Sequence, residues 1–83
     1  MNIQVFNLSL STEDRDLRRL FSAFGIVTSA EIARDKMNGR SKCKAMIDMP
    51  VNKEALLAIE SLHQTMLDGK MISVSELQVK PEW

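Results

Sequence analysis

The densest chemistry in the chain lies between Arg34 and Lys44. Five basic residues, Arg34, Lys36, Arg40, Lys42 and Lys44, stand there against Asp35 alone, a local charge of +4. Such an arm meets phosphate oxygens without reading a sequence, and each neutralised phosphate steepens the salt dependence of binding. The plainer alternative is a solvated loop that carries Lys and Arg for solubility. No catalytic set assembles elsewhere. His63, the single histidine, has no Ser or Cys placed to share its activation and is expected to be solvated at a helix end. Cys43, the single cysteine, has no disulfide partner and lacks the spacing of a zinc or redox site. Glycine-rich phosphate loops, paired catalytic carboxylates and metal-ligand clusters are missing from the sequence. The chain reads as a non-enzyme that needs no cofactor or metal.

The elements that must position these residues follow from periodicity. Residues 2–8 alternate, with Ile3 and Val5 on one face of a strand and Gln4 and Phe6 on the other. Ser11, Thr12, Glu13 and Asp14 supply a hydroxyl N-cap and an acidic first turn. Leu17, Leu20, Phe21 and Phe24 then form one helical stripe, with Gly25 at the C′ position. Ile26 to Arg34 predicts a second strand, and Asn38-Gly39 the positive φ angles of a tight reversal. From Lys42 to Met49 the chain alternates again: Cys43, Ala45, Ile47 and Met49 inward, Lys42, Lys44, Met46 and Asp48 outward. Asn52 is placed to cap a second helix with Ala55, Ile59 and Leu62 on one face, supported by Leu56 and Ala58. After an Asp68-Gly69 turn, a strand from Lys70 to Leu77 sends Ile72 and Val74 inward and Met71, Ser73 and Ser75 outward.

The predicted fold is therefore α+β: a ferredoxin-like β-α-β-β-α-β sandwich, in which two helices cover one face of a four-stranded antiparallel sheet. Right-handed crossovers put the first and third strands at the centre of the sheet. The 83 residues suffice for one domain, with a core of about residues 2–76 and a short tail over 77–83 that ends in Trp83. Hydrophobic residues make up 45% of the chain and charged residues 27%, the composition of a chain expected to fold and far from that of a disordered one. Eleven Lys and Arg balance eleven Asp and Glu, so attraction to any partner must come from local asymmetry. No apolar run approaches the ~20 residues of a membrane span, and the N-terminus has no signal-peptide pattern. Met1 is expected to begin the natural chain, and a reducing cytoplasm is its expected home.

Particular residues also carry a resemblance. Val5-Phe6-Asn7-Leu8, Asp16-Leu17-Arg18-x-Leu20-Phe21-Ser22-x-Phe24-Gly25, Arg34-Asp35-Lys36 with Gly39-Arg40-Ser41-Lys42, and Leu67-Asp68-Gly69-Lys70-x-Ile72-x-Val74 resemble the RNA recognition motif from about Asn2 to Glu76. The Asp48-Met49-Pro50 exit and short tail look most like the small single-domain versions found in bacteria. The departures are equally specific. Where the family's third-strand octamer carries two stacking aromatics, this chain has Lys44 and Met46; where the first-strand hexamer carries a third, it has Gln4. Phe6 stands where the family has a small residue, and Cys43 where it has Gly.

The resemblance implies single-stranded RNA as ligand, with single-stranded DNA left open. The expected RNA-binding residues are Gln4, Phe6, Asn7, Arg34, Arg40, Lys42, Lys44 and Met46. Arg40 and Lys42 are the preferred phosphate contacts, because Lys42 matches the octamer's leading basic position. A base stacked on an aromatic is worth ~1–3 kcal/mol, so losing the three platforms implies weak binding with low sequence specificity. The alternative is a protein interaction module that has lost the rings and that buries Phe6, Met46 and Met71 against a partner or a second copy. Neither reading involves a membrane.

Overall fold

Strand β1 (Asn2–Phe6) pairs with β3 (Ser41–Asp48) on one side and β6 (Ser73–Leu77) on the other, and β2 (Ser29–Arg34) completes the sheet beyond β3. All three pairings are antiparallel, and β3 and β1 occupy the centre, as expected from right-handed crossovers. In this computed structural model residues 1–77 are described, which leaves Trp83 and most of the expected tail outside the described residues. Helices α1 (Asp14–Ser22) and α2 (Asn52–Leu62) cover one face. Ile3, Val5, Ala45, Ile47, Ile72 and Val74 from the sheet meet Leu17, Phe21, Ala55, Ala58 and Leu62 from the helices in one buried core. The predicted α+β sandwich with two helices on a four-stranded antiparallel sheet is the fold observed.

Several local expectations give way to side-chain chemistry. Thr12 does not cap α1. It is buried and its hydroxyl donates to the Asp68 carboxylate at 2.7 Å, while Glu13 takes the N-cap position and donates its N–H to Asp16 at 2.9 Å. Val51, not Asn52, is the N-cap of α2, and Leu56 is 53% exposed instead of supporting the core. Ala23 is the C-cap of α1, which moves Gly25 past C′; a Cβ on Gly25 would overlap the side chain of Glu54, whose carboxylate accepts the Ile26 N–H at 3.0 Å. The second strand starts at Ser29 because the preceding residues bond to side chains: Arg18 donates to the Val27 and Thr28 carbonyls at 3.0 and 3.3 Å, and Ile26 is 60% exposed.

The reversal between β2 and β3 is wider than a two-residue turn. Asp35 donates its N–H to the Arg40 carbonyl, its carboxylate accepts the N–H groups of Met37 and Asn38, and only Gly39 of the Asn-Gly pair has a positive φ. The last predicted strand splits at Ile72. Lys70 and Met71 form β5, which pairs with β4 (Met66–Leu67) across Asp68 and Gly69, both at positive φ as a type I′ turn demands. Met71 therefore belongs to a separate ribbon instead of the outward row of Ser73 and Ser75.

Each edge strand of the sheet has a backbone donor held by a side chain at a helix end. The Ile32 N–H on β2 donates to Asp14 of α1 at 3.1 Å, and the Val74 N–H on β6 donates to Nδ1 of His63, the C-cap residue of α2, at 3.0 Å. His63 is thus a structural acceptor as well as a helix-end residue, and two backbone donors that would invite strand addition are occupied.

Cys43 departs from simple alternation. Between the Ile32–Ala45 and Arg34–Ser41 pairs β2 spends one residue and β3 three, and Cys43 sits in the resulting bulge at φ 60, half-buried against the core. This left-handed geometry accounts physically for glycine at the matching position of the resembled motif. Cys43→Val is expected to cost about 2 kcal/mol, because a β-branched side chain is strained there. Cys43→Gly should stay within about 1 kcal/mol of the parent, relief of strain offsetting lost packing and added chain freedom. Urea midpoints of the two variants check both.

Candidate nucleic-acid interface

Pleating sends the side chains that do not face the helices into parallel cross-strand rows. In register, Glu31, Met46, Gln4 and Ser75 form one row across all four strands, and Lys44, Phe6 and Ser73 form the next. Among the described residues neither helix covers these rows. Gln4 donates its amide to the Ser75 hydroxyl at 2.9 Å, which fixes it at the middle of the sheet. Phe6 is 38% exposed, so one ring remains available where the expected platforms are missing. Met46 is half-buried between Gln4 and Glu31, and Lys44 lies opposite Phe6.

The remaining expected residues divide. Arg40 and Lys42 are exposed on the β2–β3 arm, and neither side chain enters an ion pair among the described residues. Arg34 turns toward α1, where its guanidinium stands 3.8 Å from Asp14, so part of its charge is already compensated. Asn7 ends β1 at φ 63 and donates its amide to the Met71 carbonyl at 2.8 Å, a structural task that joins β1 to the β4–β5 ribbon. The structure thus gathers Gln4, Phe6, Lys44 and Met46 on the sheet, puts Arg40 and Lys42 on the adjoining arm, and sets Arg34 and Asn7 at its margins.

One residue of this face is absent from the sequence-derived set. Glu31 is exposed on the edge strand beside Met46, at a groove of about 360 Å3 shared with Asp14, Ala33, Arg34 and Lys36. Strict alternation through Ser29, Glu31 and Ala33 is the signal that could have found it, but Ala30, Ile32 and Ala33 place small or apolar residues on both faces and blur that pattern.

A family profile described as RNA recognition motif matches residues 3–73. Rat scaffold attachment factor B1 is 36% identical over 80 residues, spanning 96% of this chain but 9% of that protein. This chain therefore spans under a tenth of the length of the scaffold attachment factors it matches. Among solved structures, the crystal structure of an RNA-binding protein designated PG1 superposes with a TM-score of 0.94 at 35% identity and covers 99% of both chains. A Sxl-lethal protein/RNA complex gives 0.90 at 30% identity, over 98% of this chain and 48% of that one. The curated relatives matched include rat, mouse, human, plant and Dictyostelium proteins, so the likeness to small bacterial versions gains no support from them.

Proposed function

The chain belongs to the RNA recognition motif family, and on that premise we propose that it is a non-enzymatic protein that binds single-stranded RNA on the uncovered sheet face and the basic β2–β3 arm. The observation that carries this reading is the convergence of Phe6, Met46 and Gln4, from the two central strands, beside the cations of that arm. Phosphate contact from Arg40 and Lys42 supplies affinity without sequence, and a single exposed ring supplies little stacking. Binding is accordingly weak, with low overall specificity, and single-stranded DNA competes to the extent that phosphate contacts dominate. An amide chemical-shift titration with a degenerate short RNA at low salt tests the site directly. Shifts confined to residues 4–7 and 34–48 support it, and a silent spectrum refutes it.

The phosphate contacts have their own signature. For a single strand, log K falls with log salt at a slope of about −0.7 per phosphate neutralised. Arg40→Gln and Lys42→Gln should each flatten the slope by about 0.7 and weaken all strands alike. Anisotropy titrations at a series of salt concentrations measure this, and an unchanged slope in both variants would remove the arm from the interface.

The exposure of Phe6 and Met71 favours a second reading, a protein partner or self-association through Phe6, Met46 and Met71. Concentration-independent monomeric sedimentation together with RNA-dependent shifts would eliminate it.

A further inference from the structure

The groove beside β2 contains a combination that phosphate binding alone does not explain. Glu31 puts a carboxylate on the same face that is to receive a polyanion, where it opposes every phosphate that comes near. Its carboxylate takes part in none of the side-chain hydrogen bonds or ion pairs among the described residues. Beside it are the thioether of Met46, its register partner, the methyl group of Ala33, the cations Arg34 and Lys36, and the carboxylate of Asp14, which stands 3.8 Å from the Arg34 guanidinium. At about 360 Å3 the groove falls in the roughly 300–1,000 Å3 range of ligand clefts. It therefore combines a polarizable floor, an acceptor-only edge and, in Lys36, one cation outside the ion pairs among the described residues.

We propose that this groove is a guanine subsite, in which the Glu31 carboxylate accepts hydrogen bonds from N1–H and N2–H of one guanine lying over Met46, with Lys36 toward its phosphate. This rests on the RNA-binding reading and names the one base position at which a largely unspecific interface becomes selective. The chemistry separates guanine from the other bases. A carboxylate has two oxygens and no proton to give, and guanine alone offers two adjacent donors on its Watson–Crick edge. Adenine and cytosine each set one amino donor beside a ring-nitrogen acceptor. Uracil sets its one N–H between two carbonyl oxygens. With any of these three an acceptor faces the carboxylate, and the groups stay desolvated without full pairing. Glu31, a liability against phosphate, is thereby an asset against one base.

The experiment uses uridine octamers at low salt in which one central position is uridine, adenosine, cytidine, inosine or guanosine. The guanosine strand should bind about tenfold more tightly than the uridine strand, as expected for one well-formed bidentate contact. The inosine strand, which keeps N1–H and lacks the N2 amine, should fall between them. Glu31→Gln should bring the guanosine preference to within about twofold and tighten the uridine strand, since the side chain keeps its size and loses the charge that opposes phosphate. Equal, salt-sensitive binding of all five strands overturns the guanine subsite and leaves RNA binding standing. A guanosine preference undiminished in Glu31→Gln overturns it too. Absence of binding to every strand refutes the RNA-binding reading itself, and the subsite with it.

Discussion

Substituting Lys44→Phe and Met46→Phe together is expected to tighten RNA binding by roughly 1–3 kcal/mol for each ring that meets a base. Even the lower figure is about fivefold per ring, so the pair should be at least an order of magnitude tighter. Lys44 and Phe6 are register partners, as are Met46 and Gln4, so the new rings would lie on the two central strands beside the ring already there. The neighbouring aromatics at positions 6 and 44 also add up to about 1 kcal/mol of cross-strand stabilisation, which protects the variant from unfolding. Loss of the Lys44 charge acts in the opposite sense on the salt dependence and flattens the slope by about 0.7. Greater affinity with a shallower slope is the signature of stacking replacing charge. A folded double variant with unchanged affinity would show that bases do not lie on this face, and would leave the arm alone as the RNA contact.

That test is possible because the central strands were legible from residue types. In β1 and β3 the burial period is two, and Ile3, Val5, Ala45 and Ile47 are inward as alternation demands, which puts Gln4, Phe6, Lys44 and Met46 outward without any knowledge of neighbours. Helix α1 was equally plain from the Leu17 and Phe21 stripe. What stayed hidden is relational. The bulge at Cys43 exists because β2 and β3 span the same gap with different numbers of residues, a mismatch that neither strand shows by itself. Asp14, Glu54 and His63 look like ordinary helix-surface residues, yet each accepts a backbone N–H from a segment 11 to 28 residues away. The β4–β5 ribbon has two residues per strand, too few to show a period, although its Asp68-Gly69 turn was evident. Glu31 escaped because apolar residues lie on both faces of the edge strand that carries it.

The same relational contacts make the groove depend on the core beneath it. Phe21→Ala is expected to cost about 3–5 kcal/mol, since the ring is fully buried and its removal leaves a cavity. A domain of this size has roughly 5–15 kcal/mol in all. At nine residues, α1 is shorter than the ~12–15 at which isolated helices become even marginal, so its packed stripe holds it in place. When that hold weakens, Asp14 leaves the Ile32 N–H and Arg18 leaves the Val27 and Thr28 carbonyls. Strand β2, which carries Glu31 and Arg34, then loses its outer support before the central strands lose theirs. Native-state amide exchange should therefore accelerate more at Ile32 than at Val74, whose acceptor His63 belongs to α2. A fallen urea midpoint with equal acceleration at both amides would mean that the two helices open as one unit, and the groove could then not be loosened without unfolding the whole sheet.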